Sequence, residues 1–192
     1  MLTGDSADKA KRQVEASIRR IFSYAAWADK YEGRVHQPPM RGLALAIPEP
    51  FGVMGVVASD DQPLLGLLSM ILPCIASGNR VVAVPSLKAV LIVADFYQLL
   101  DTSDVPGGVI NLVTGVPSEL ATVLAAHDDV AAIWAVGPVD ECEQIKKESA
   151  GNLKSVWTSD GKSPDWYDSQ AEGSSWLERA TQVKNIWVPY GE

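Results

Sequence analysis

Two cysteines, two histidines and a few carboxylates beside sequence breaks are the side chains that could carry nucleophilic, metal or acid–base chemistry in this sequence of 192 residues. Cys74 falls on the apolar face of a helical stretch at 63–76, and Cys142 lies among charges on another. A thiol becomes a nucleophile only as thiolate, beside a base, cation or helix start that lowers its pKa, and neither neighbourhood supplies one. The pair reads as a small buried hydrophobe and an incidental surface thiol, with no disulfide. His36 and His127 have no cysteine or carboxylate at ligand spacing, so no metal site is expected. Asp60 and Asp61 precede Pro63 at the start of an apolar helix, where carboxylates complement the helix dipole. With Asp160 they could cluster at a sheet edge, although a solvated acidic rim is the simpler account. No Gly-x-Gly-x-x-Gly phosphate loop is present.

The elements that must position these residues alternate between two periods. Residues 9–30 set Val14, Ile18, Ile21, Phe22 and Ala25 at helical spacing, with charges between them. Two short extended pieces follow at 34–37 and 43–47, separated by Pro38-Pro39 and Gly42. From Gly52 the chain then predicts strands at 53–58, 81–84, 109–113, 130–136 and 154–158. Helices at 63–76, 87–100, 118–126 and 139–150 fall between and after the first four strands. Continuous apolar strands separated by helices require a parallel sheet covered on both faces. Residues 159–175, rich in Ser, Asp, Gly and Glu, read as a loop. Residues 181–188 alternate polar and apolar and predict a last strand, which must join an existing edge or another chain.

Composition bounds the function. A hydrophobic fraction of 47% and a charged fraction of 21% are those of a globular domain. The formal charge of −8 argues against nucleic acid and anionic membranes, both of which need a basic face. The longest apolar run, at 64–75, is too short to span a bilayer. No charged leader precedes an apolar core at the N-terminus, so a cytoplasmic protein is expected.

The stretch Glu49-Pro50-Phe51-Gly52-Val53 through Gly78-Asn79-Arg80-Val81-Val82-Ala83-Val84-Pro85 resembles the opening of the nucleotide domain of aldehyde dehydrogenases. The resemblance continues through Pro106, Gly108, Val109, Asn111 and Gly115, through His127 and Ile133, and through Asn152-Leu153-Lys154 to Gly161-Lys162-Ser163-Pro164. Thr181, Val183, Lys184 and Val188 are similar to that family's C-terminal strand. The resemblance implies a Rossmann-like α/β sheet at 1–164, with a β-ribbon at 34–47 used for oligomerisation. It further implies a polar connection at 165–180 and an oligomerisation strand at 181–192. It also implies that the large catalytic domain is missing between Pro164 and that strand. Such an incomplete unit is similar to the one that ends the polypeptide in family 16.

The positions where the family does chemistry hold other residues. No segment corresponds to that of the cysteine nucleophile. Asp61 stands where an oxyanion-binding asparagine belongs, and a carboxylate cannot donate to an oxyanion. Thr158 replaces the general-base glutamate. Val84 and Leu87 replace the lysine and glutamate that hold the adenosine ribose. Ala135-Val136-Gly137-Pro138 replaces the Phe-Thr-Gly-Ser turn at the pyrophosphate, and Pro138 removes a hydroxyl and an N–H from the helix start.

The expectation is therefore a non-catalytic unit without catalytic, cofactor or metal residues, which assembles by self-association or by docking on an aldehyde dehydrogenase unit of the same polypeptide. Val183, Ile186, Trp187 and Val188 are its candidate interface. Two other readings stay open: a degenerate nucleotide or small-molecule binding module, and a unit completing the active site of an attached NAD-dependent aldehyde dehydrogenase.

Overall fold

The structure, a computed structural model, describes residues 3–189. Ser6 caps the first helix, α1 (Ala7–Trp27), with its side chain accepting from the Lys9 N–H. β1 (Arg34–His36) and β2 (Gly42–Pro50) follow, and β2 passes through Gly52 (φ +111°) into the parallel sheet. That sheet is built from β3 (Val53–Val57), α2 (Pro63–Ala76), β4 (Arg80–Val84), α3 (Val90–Asp101), β5 (Ile110–Leu112), α4 (Pro117–Ala126), β6 (Ala132–Ala135), α5 (Val139–Glu148) and β7 (Ser155–Thr158). α6 (Ser174–Arg179) and β8 (Thr181–Pro189) end the described chain; residues 190–192 of the expected terminal strand lie outside it.

The five-stranded sheet has the order β5-β4-β3-β6-β7, with every pair parallel. The chain starts in the middle, winds outward to β5, then returns to add β6 and β7 on the other side. This is the doubly wound arrangement, with its switch point between β3 and β6. α2 and α3 cover one face, and Met54, Val56, Val81 and Trp134 belong to that core. α4 and α5 cover the other, where Val57, Ile133, Ala135, Ala121, Ala125 and Ile145 meet. Pro63 starts α2 at a position whose N–H would have no helical partner, and Gly78 (φ +89°) ends the turn that feeds β4. Among the described residues no helix is long and apolar enough to cross a membrane.

Three features depart from the sequence expectations. The first is α1, whose apolar stripe faces outward: Val14, Ile18 and Phe22 are exposed, while Gln13, Ala16, Ser17, Arg20 and Tyr24 are buried against the body. Polar side chains take the inner face because each of Gln13 and Arg20 finds hydrogen-bond partners there. The second is the stretch 159–175, which contains a 3₁₀ turn at Ser169–Ala171 and the start of α6, and places Trp166 in the core. Trp176 of α6 meets Trp134 at 5.4 Å and Trp157 at 5.1 Å edge to face, and Trp166 at 5.5 Å with tilted rings, so widely spaced aromatics anchor a polar segment. The third is Cys142, which is buried on the inner face of α5 and is not a surface thiol.

β8 pairs antiparallel with β2 of its own chain over nine residues, Gly42↔Pro189 to Pro50↔Thr181, giving a second sheet of order β1-β2-β8. The terminal strand thus takes the first of its two expected options, an existing edge.

Candidate functional site

Open doubly wound sheets bind ligands beyond the carboxyl ends of their strands, at the switch point. Here those ends are Val57 of β3 and Ala135 of β6. After β3 the chain turns through Ser59-Asp60-Asp61 to Gln62, which adopts a left-handed backbone (φ +50°) and offers α2 no side-chain cap. The exposed donors of that helix start are satisfied from another element. Gln13 of α1 accepts from the N–H groups of Leu64 at 3.2 Å and Leu65 at 3.5 Å.

The side chain of Gln62 turns instead to the segment that follows β7. Its Oε1 accepts from the Trp166 N–H at 2.9 Å, and its Nε2 donates to Asp165 at 3.0 Å. The Tyr167 N–H and the Gln62 amide hold the Asp165 carboxyl below the usual carboxylate range. Ser59 and Ser163 hydroxyls lie 3.4 Å apart. Trp166 fills the space over α2, with its indole against Gly66. Arg20 locks this arrangement from behind. Its guanidinium donates to the Trp166 carbonyl at 2.8 Å, to the Ala171 carbonyl and to Ser69 Oγ at 2.7 Å, and pairs with Glu172 at 2.7 Å. The crevice at the head of α2 is therefore occupied by the chain's own residues.

The second half of the crevice lies after β6. Gly137 donates its N–H to Ser159 Oγ at 3.2 Å, and Pro138 caps α5. Asp140 and Glu141 stand in the first turn of α5, and a Glu141 carboxylate oxygen lies 3.3 Å from where a Cβ on Gly137 would be. These carboxylates already complement the dipole of α5 and oppose a further anion. Asp160 accepts from Lys146 and Thr158, both at 2.7 Å, and both bonds depress its pKa. Asp60 faces Lys88 at 3.8 Å, and Asp61 is exposed. The three aspartates thus answer to different partners, as a solvated rim would. Among the described residues no group of His, Cys, Asp and Glu is arranged to hold a metal. Burial pushes the Cys74 thiol far above its ordinary pKa, the opposite of an activated nucleophile.

The aldehyde dehydrogenase family model matches residues 1–180. The chain belongs to the aldehyde dehydrogenase family. A cytosolic 10-formyltetrahydrofolate dehydrogenase of Xenopus laevis is 35% identical over 160 residues, covering 80% of this chain and 18% of that protein. An NADP/NAD-dependent aldehyde dehydrogenase of Escherichia coli is 32% identical over 149 residues, covering 77% and 30%. Among solved structures, lactaldehyde dehydrogenase of Escherichia coli superposes with a TM-score of 0.77 at 26% identity, covering 82% of this chain and 33% of that one. This family member spans a third or less of the length of these relatives.

The residues present do not fit the dinucleotide that the family's nucleotide domain implies. Val84 is buried in the sheet and Leu87 is exposed on a 3₁₀ turn, and neither side chain can hydrogen-bond a ribose. At the diphosphate position Pro138 withholds a donor, and two carboxylates stand in the following turn. No step of a hydride transfer is assigned to this chain.

Gln13, Arg20, Gln62 and Trp166 organise this crevice, and sequence reading passed over all four. Gln62 alone carried a signal, as a polar residue directly before the proline that opens α2. The candidate interface residues lie together on β8, in register with β2 at Pro48↔Val183, Leu45↔Ile186, Ala44↔Trp187 and Leu43↔Val188. Val183, Trp187 and Val188 are exposed and Ile186 is half-buried. Strand geometry puts Val183 and Trp187 on one face and Ile186 and Val188 on the other, so the expected single apolar face is split in two.

Proposed function

We propose that this chain is a non-catalytic unit of the aldehyde dehydrogenase family that serves the assembly of a larger protein of that family, in the manner of the incomplete unit that ends family-16 polypeptides. One observation carries the reading. The crevice in which the family's chemistry would take place is closed by the chain's own Gln62–Trp166 and Gln13–α2 contacts, and the N–H groups of Leu64 and Leu65 at the head of α2 are taken by Gln13. Its docking element is the ribbon β1-β2-β8. Val183 and Trp187 offer apolar contact, and the outer edge of β8 has no strand beside it among the described residues. Edge pairing on another sheet would supply backbone hydrogen bonds, with alternate side chains setting specificity.

Titration calorimetry with NAD and NADP to millimolar concentration tests the first half. We expect no binding tighter than about 100 μM, roughly 5.5 kcal/mol. A tighter complex, or any thiol-dependent aldehyde oxidation by the purified chain, would sink the reading.

A further inference from the structure

We draw no further inference here: the strongest candidate, the open apolar groove between α1 and α3 lined by Ile21, Leu68, Phe96 and Leu99, carries nothing because nothing in the structure shows what covers it.

Discussion

Trp166 and Gly66 set each other's size: a Cβ at position 66 would stand 2.7 Å from the indole Nε1 and 3.0 Å from Cδ1. The indole has nowhere to retreat, because the tilted ring of Trp176 packs 5.5 Å away and Trp166 is only 1% exposed. One glycine in the first turn of α2 thus admits the side chain that closes the crevice.

Gly66→Ala should therefore destabilise the fold although alanine favours a helix. Overpacking a rigid core costs about 1–3 kcal/mol, against roughly 1 kcal/mol of helix propensity gained. We expect a lower urea midpoint with an unchanged slope. Trp166→Leu in the same chain should relieve the clash and recover part of the loss. A raised midpoint for Gly66→Ala alone would mean that the indole does not sit there.

Arg20 is buried with four partners on two segments, so no single interaction explains it. Arg20→Met would leave the carbonyls of Trp166 and Ala171 and the hydroxyl of Ser69 without their donor. Glu172 still reaches solvent, which limits the cost to roughly 2–4 kcal/mol. Arg20→Lys should recover little, since a single ammonium cannot span a fork of partners. Thermal unfolding with tryptophan fluorescence checks both variants: a red shift below the main transition would report release of the segment around Trp166.

The parallel sheet was legible because its strands are short apolar runs and α2 is announced by Pro63 and ended by Gly78. The departures from the family's pattern at Asp61, Val84, Leu87, Thr158 and Pro138 were legible for the same reason, as single positions within a readable frame. The filling of the crevice was not. It depends on Gln13, Arg20, Gln62 and Trp166, which lie far apart in sequence and meet only in the fold, and periodicity says nothing of such meetings. α1 misleads for a related reason: its apolar stripe looks like a core face, while the face that is buried is held by hydrogen bonds. The 165–180 stretch reads as polar because Trp166, Trp176 and Leu177 are spaced without a helical or strand period.

Stability should fall in alkali. Burial raises the pKa of both Cys74 and Tyr24, with Arg20 opposing the shift at Tyr24. In the unfolded chain these groups ionise near their ordinary values of about 8.5 and about 10. A folded-state pKa above the unfolded one gives stability that is complete below the unfolded pKa and is lost as pH rises past it. Urea unfolding between about pH 7 and pH 11 should show a decline beginning near pH 8.5. Cys74→Ala should flatten its first part while lowering the plateau. In the native state at pH 8, within this plateau, iodoacetamide should leave Cys74 unmodified. A profile of Cys74→Ala parallel to that of the wild type would assign the loss to other groups.

Val183 and Trp187 allow the ribbon to be tested without unfolding it. Both are exposed, both share one face of β8, and neither is needed for the backbone ladder that joins β8 to β2. Val183→Lys with Trp187→Lys should change stability by no more than about 0.5 kcal/mol per site. It should also abolish co-elution with an aldehyde dehydrogenase unit expressed alongside the chain. Ile186→Pro is a different lesion, because it breaks the ladder opposite Leu45 and frees β8 from β2. Removal of residues 181–192 goes further and bares the whole edge of β2, an invitation to aggregation. The lysine pair, unlike these two, separates docking from folding. If it co-elutes as the wild type does while circular dichroism is unchanged, the apolar face of β8 is not the docking surface, and the ribbon serves only to tie the end of the chain to β2.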